Sequence, residues 1–291
     1  MGLAAAVELA LAPDALDAAN AVHAGWKRGR LGMLAPMTIH LTIITGSSRG
    51  LGAALVAQRL QPGHRVLGLA RKVNPSLQAV AAGAAQPGAL LEQWPVDLAD
   101  AAPVALRLAS WLQAQGGATA ATLTLINNAG VMATPAPLDR VSSDGLVQAL
   151  RVGLEAPLLL TAAFLDATRH WPGARRVLNI SSGLGRQAMA GSAVYCAAKA
   201  GMDHLTRVLA LEQEQQSNPA RVVSMAPGVI DTDMQAELRA SDAALFPERA
   251  RFVALQAQGQ LLTAAACAAR VLALLERADF GQQTITDIRQ P

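Results

Sequence analysis

With 291 residues, 52% of them hydrophobic and 15% charged, the chain can bury a large core as one domain without disulfides or a structural metal. A net charge of +3 without a dense basic stripe argues against a nucleic-acid binder, and no apolar run reaches the roughly 18–20 residues of a membrane span. The two cysteines, Cys196 and Cys267, form no CxxC pair and the five histidines no ligand pattern, so no metal is expected and a reducing, cytoplasmic compartment is.

Residues 1–36 read differently from the rest: alanine-rich text, then Lys27, Arg28, Arg30 and Pro36. The basic cluster comes last, the wrong order for a secretory signal. The expectation is an N-terminal extension, disordered or weakly helical or the product of a misplaced start, with the catalytic body over 37–291. From there strands and helices alternate. Strand patterns fall at 38–45, 65–70, 90–96, 121–127, 176–181, 221–226 and 284–287. Helical patterns fall at 50–60, 103–115, 141–168 (with Pro157 as a kink), 193–216 and 263–277. The alternation predicts right-handed βαβ units: an α/β fold with a single Rossmann-type, doubly wound parallel sheet and helices on both faces.

The first strand runs into Thr45-Gly46-Ser47-Ser48-Arg49-Gly50-Leu51-Gly52, and a helix begins there. Gly46 permits a tight turn, Gly50 lets backbone approach a pyrophosphate, and Gly52 lets helix and strand pack closely. The helix N-terminus offers free N–H groups to phosphates, so Ser48, Arg49 and Leu51 join the glycines as candidate cofactor contacts. The spacing Gly-x-x-x-Gly-x-Gly resembles that of the short-chain dehydrogenase/reductase family. The resemblance continues in order through Asp97, the run Asn127-Asn128-Ala129-Gly130, Ser182, Tyr195-x-x-x-Lys199 and Pro227-Gly228, covering residues 38–288. It implies cofactor contacts from Asp97 and Leu98 near the adenine, from Asn128, Ala129 and Gly130, and from Pro227, Gly228, Ile230 and Thr232 near the nicotinamide carboxamide. For Asp97 a helix N-cap is the alternative.

A dehydrogenase that prefers NAD usually ends its second strand on an acid. Here that strand ends Leu69-Ala70-Arg71-Lys72. Arg71, with Arg49, suits a 2′-phosphate, which selects NADP(H) over NAD; otherwise Arg71 and Lys72 are a solvated loop.

Tyr195 and Lys199 stand four apart on one helix face, and Tyr195 is the single tyrosine of the chain. A nearby ammonium should move the phenol from about 10 toward neutrality, fitting it to donate a proton to a carbonyl or take one from an alcohol. The resemblance implies that Lys199 also holds the nicotinamide ribose and that Ser182 bonds the substrate oxygen, with Ser181 as competitor. One position departs from the family: a catalytic asparagine in the long helix is replaced by Gly153, which tolerates irregular backbone and leaves room for water.

The text at 179–182, 195–204, 226–235 and 279–289 is similar to the sepiapterin reductase and benzil reductase branch. That implies a neutral ketone, a vicinal diketone or a pterin side-chain dicarbonyl, reduced by NADPH. Substrate recognition is expected in a helical lid over 229–260, with Met234, Phe246 and Phe252 facing Met132 and Met189, unless these are plain core. A homodimer or homotetramer through the two long helices is expected by the same resemblance. Two other readings stay open: an NADP(H)-binding regulator weakened at Gly153, and a scaffold without chemistry.

Overall fold

The computed structural model of the chain describes residues 39–83, 89–115 and 120–289; the expected extension over 1–36 lies outside the described residues. Among these, seven strands form one sheet: β1 (Ile39–Thr45), β2 (His64–Ala70), β3 (Leu90–Pro95), β4 (Ala120–Asn127), β5 (Ala174–Ile180), β6 (Arg221–Ala226) and β7 (Ile285–Asp287). Their order is β3-β2-β1-β4-β5-β6-β7, and every neighbouring pair is parallel. The order reverses between β1 and β4, which opens a crevice at the carboxyl ends of those strands. Runs such as Leu41–Thr45 and Leu123–Asn127 are buried throughout because helices cover both sides.

The helices are α1 (Gly50–Arg59), α2 (Pro75–Gly83), α3 (Ala101–Ala114), α4 (Ser143–Ala167), α5 (Ala193–Glu214), α6 (Asp233–Ala240), α7 (Arg249–Ala257) and α8 (Ala264–Glu276). On one face Val104, Leu108 and Leu112 of α3 and Leu160 and Phe164 of α4 pack against Leu123, Leu125 and Val177. On the other, Leu55 and Val56 of α1 and Val271 and Leu275 of α8 pack against Ile44, Ile126 and Val223. Each fully buried side chain of this size contributes about 1.5–3 kcal/mol of transfer free energy, so the two clusters hold the sheet between them.

Three expectations need correction. Helix α2 escaped the periodicity because Leu77 is its only buried residue. Its start is nevertheless legible: Asn74 Oδ1 accepts from the N–H groups of Ser76 and Leu77, and Pro75 fills the first helical position. The kink expected at Pro157 sits a turn earlier, as a π turn over Arg151–Glu155 whose closing bond runs from the Ala156 N–H to the Arg151 carbonyl. The cause is still the proline, which has no N–H for the carbonyl four residues back, Gly153, and whose ring presses on it. Finally, α4 is long and apolar enough to cross a membrane by length and composition alone, at mean hydropathy 1.3; Leu160 and Phe164 pack on the sheet, while Val147, Leu150 and Leu158 are exposed.

At the amino ends of the strands, the rings of His40 and His64 stack 4.7 Å apart. His40 Nδ1 is 2.8 Å from Thr122 Oγ1. Burial and the Arg59 guanidinium push His64 down to about 4, and burial lowers His40 as well.

Candidate active site

The glycine turn is built for close approach. Gly46 and Gly50 have φ of +68° and +54°, where a side chain is strained. A Cβ on Gly52 would stand 2.1 Å from the Gly46 carbonyl oxygen. Arg49, at the N-cap of α1, offers no side-chain capping bond, so the first-turn N–H groups of Gly50, Leu51 and Gly52 remain available. The side chain of Leu51 is buried, and so is that of Leu98, which leaves any ligand contact there to backbone. Thr45 pins the turn to the next strand: its Oγ1 accepts from the N–H groups of Asn128 and Ala129, both at 2.9 Å. Asn128 Nδ2 donates back to the Thr45 carbonyl at 2.9 Å. The sequence pattern passes over this role of Thr45; a hydroxyl buried at the end of an apolar strand was its signal. Ser48 faces the same side, its carbonyl bonded by Asn74 Nδ2.

This cradle fits the two phosphates of a nicotinamide dinucleotide. A positive-φ turn that a Cβ would fill ends on an uncapped helix N-terminus beside β1. Arg71 and Lys72 are exposed just beyond β2 and make no ion pair among the described residues. Arg49 does make one, to Asp233 at 2.5 Å, with both side chains largely in solvent. Asp97 takes the alternative expected of it as well: its Oδ1 caps the turn Leu98–Asp100 by accepting from the Ala99 N–H.

Beyond β6, Pro227 and Gly228 (φ +76°) turn the chain toward the crevice. Ile230 pairs with Leu262 in a parallel bridge that closes the base of the lid. Thr232 Cγ2 lies 3.5 Å from where a Gly50 Cβ would be, so this segment and the glycine turn meet.

Ser182, Tyr195, Lys199 and Gly130 lie beside the same crevice. Lys199 is buried, its Nζ 5.7 Å from the Tyr195 ring centroid and 3.9 Å from where a Gly130 Cβ would be. It donates to the Ile180 carbonyl at 2.7 Å. Ser182 caps the turn Gly183–Gly185 by accepting from the Leu184 N–H, and it lies close enough to Tyr195 to lower its pKa. Ser181 is buried, with no partner for its hydroxyl among the described residues. Ser182 is therefore the serine brought to the tyrosine.

The expected drop of the phenol toward neutrality does not occur. Burial raises Tyr195 above its ordinary value, and the nearby Ser182 opposes this only in part. Lys199 is itself desolvated and pushed down to about 8, with Asp203 opposing the fall. Gly153 sits inside the π turn, its missing Cβ 3.3 Å from Ala198 Cβ, next to Lys199.

Phe246 and Phe252 stack at 5.7 Å and pack with Met189 and Leu238 against Met132, Leu184 and Cys196. Met234 is not in this cluster. Gly191 (φ +76°) makes the seat for Phe246, since a Cβ there would stand 2.9 Å from the ring. With the lid so packed, the hollow beside Tyr195 holds about 10 Å³, bordered by Met132, Thr134, Val141 and Val194.

A doubly wound sheet with a glycine cradle at its switch point and a serine, tyrosine and lysine at the adjoining carboxyl ends defines a nicotinamide-binding oxidoreductase. The family model for short chain dehydrogenase matches residues 40–243, and the chain belongs to that family. It is 33% identical over 253 residues to the benzil reductase ((S)-benzoin forming) of Bacillus cereus, covering 84% of this chain and 98% of that one. It is 34% identical over 247 residues to the sepiapterin reductase of Meriones unguiculatus, covering 82% and 92%. Among solved structures, a metagenomic short-chain oxidoreductase in complex with NADP superposes with a TM-score of 0.63 at 27% identity, over 87% of this chain and 96% of that one.

Proposed function

We propose that the protein is an NADPH-dependent carbonyl reductase acting on neutral ketones, vicinal diketones foremost. The observation that carries this reading is the proximity of Ser182, Tyr195 and Lys199 to one another beside the glycine cradle, with Lys199 Nζ 5.7 Å from the Tyr195 ring. When bound, the nicotinamide supplies the hydride. Tyr195 donates the proton to the carbonyl oxygen, and its raised pKa keeps that proton in place at neutral pH. Ser182 donates a hydrogen bond to the same oxygen. Lys199 stays within reach of the ring and can trade its Ile180 carbonyl for a ribose hydroxyl. Asn128, Ala129 and Gly130 line the crevice beneath, and Pro227, Gly228, Ile230 and Thr232 wall its far side.

The preference for the 2′-phosphate rests on Arg71, which pairs with no acid among the described residues. Arg49 is a second ligand for it, since an exposed ion pair with Asp233 is worth only about 0–1 kcal/mol and is readily exchanged. The diketone rests on the likeness to the benzil reductases and on the lining of the hollow beside Tyr195, with Met132, Val141 and Val194, which carries no charge to greet an acidic substrate. Helices α4 and α5 expose Val147, Leu150, Leu158, Val208 and Leu211, a face suited to a second copy.

NADPH oxidation with benzil, other 1,2-diketones and simple ketones tests the reading. Tyr195→Phe keeps the ring and removes the proton donor, so the rate should fall on the order of 10²–10⁴-fold while NADPH still binds. A variant within about threefold of wild type would refute the proposed chemistry.

A further inference from the structure

One buried charge near this site is used by nothing above. Asp203 lies one helical turn beyond Lys199 on α5 and is 1% exposed. Its Oδ1 accepts from Ser224 Oγ of β6 at 2.6 Å, and its Oδ2 from Arg186 Nε at 3.0 Å. Arg186 follows the turn that Ser182 caps, and its other end donates to the Thr286 carbonyl of β7 at 3.0 Å. The turn is pressed onto α5 at this point: a Cβ on Gly185 would stand 2.9 Å from the Lys199 carbonyl oxygen and 3.1 Å from Asp203 Oδ2. The loop bearing Ser182 and the helix bearing Tyr195 and Lys199 are thus joined by one carboxylate.

We infer that Asp203 is a positioning residue for the reductase site: its carboxylate supports the Lys199 ammonium along α5 and, through Arg186, holds the Ser182 turn against Tyr195. The inference rests on the reading of the site given under Proposed function. A buried carboxylate is costly unless its hydrogen bonds are met, and here the partners come from two other elements. The sign of the electrostatic arm follows from the geometry. Burial drags Lys199 down, and Asp203 opposes it. Arg186 neutralises part of Asp203, so removing Arg186 strengthens the pull of Asp203 on the lysine, and removing the charge of Asp203 abolishes it.

The other charged groups on elements packed against α5 are few. Asp287, at the end of β7, lies close enough to Arg186 to feel its charge but is paired bidentately with Arg289. Arg221 stands at the far start of β6, bonded to the Ala278 carbonyl. Asp144, Arg151 and Glu155 on α4 are exposed. None of these contacts Asp203.

The test compares wild type with Asp203→Asn, Arg186→Met and Ser224→Ala in the full chain. Two profiles are measured against pH: kcat/KM for diketone reduction and the Kd for NADPH. Asparagine can accept from Arg186 through its oxygen and donate to Ser224 Oγ through its nitrogen, so both contacts survive without the charge. The alkaline limb of both profiles should move down by at least about half a unit in Asp203→Asn and up in Arg186→Met. It should stay in place in Ser224→Ala, which loses a bond but no charge. A merely structural clamp would lower rate or thermal stability in all three without moving the limbs in opposite directions. An unmoved limb in Asp203→Asn, or limbs that move the same way in both charge variants, overturns the inference. The affinity profile needs no turnover, so failure of the reductase reading, seen as an active Tyr195→Phe, is told apart from failure here.

Discussion

Replacing Gly52 by alanine sets two effects of opposite sign against each other. Gly52 has ordinary helical backbone within α1, so alanine should stabilise that helix by roughly 1 kcal/mol. The added Cβ, however, would stand 2.1 Å from the Gly46 carbonyl oxygen, 2.8 Å from its carbon and 2.7 Å from Asn128 Nδ2, where ordinary contact begins at 3.4 Å. Helix and turn must therefore part by about 1.3 Å. The atoms met are backbone, which cannot swing aside, and the amide met is the one that ties the turn to β4. Overpacking of this kind costs about 1–3 kcal/mol, and a weakened Asn128 bond adds about 1 kcal/mol. The net loss should be about 1–3 kcal/mol, or roughly 3–10 °C in Tm for a domain of this size. NADPH affinity should fall more than tenfold, about 1.4 kcal/mol, because the first-turn amides are carried away from the phosphates. Gly83→Ala is the control, since its Cβ would meet nothing within 4 Å. Thermal melts and fluorescence titration with NADPH decide the matter. A Gly52→Ala protein with unchanged Tm and affinity within about twofold would refute the close-packed cradle.

Other outcomes follow from the same coordinates. Arg71→Asp should weaken NADPH binding and improve NADH binding, read by titrating both; equal affinities in the wild type would remove the basis for the 2′-phosphate preference. Gly153→Asn must press about a tenth of an ångström into Ala198, and kcat should change less than about tenfold in either direction. A larger gain would show that the missing amide limits the natural protein. Stability should decline as pH falls from 6.5 toward 4, because the unfolded His64 takes up a proton that the folded one refuses. The residue is only partly buried, so the discounted loss is about 1–2 kcal/mol. Urea unfolding at several pH values should show that slope in the wild type and a shallower one in His64→Gln; identical slopes would refute the assignment.

Much of this molecule was legible one residue at a time. The alternation of short β-branched runs with longer helical stretches determined a parallel doubly wound sheet, because only strands covered on both faces carry such continuous apolar text. Gly46, Gly50 and Gly52, read together with the strand before them and the helix after, determined the cradle, since each does something local that a Cβ forbids. Tyr195 and Lys199 were legible through a spacing of four on one helix.

Relations between distant elements were not legible in this way. Whether Ser181 or Ser182 meets the tyrosine depends on which one turns inward at the end of β5. The direction of the Tyr195 shift depends on how deeply α5 is buried, and charge spacing alone predicted it with the wrong sign. Arg49 is paired with Asp233, 184 residues away, and Asp97 is spent on a cap, both outcomes of competing local partners. Asp203 looked like one more acid on a helix. It is only because β6, β7 and the Ser182 turn converge on it that a buried charge can be kept there, and such convergence is a property of the packed sheet and of no stretch of sequence.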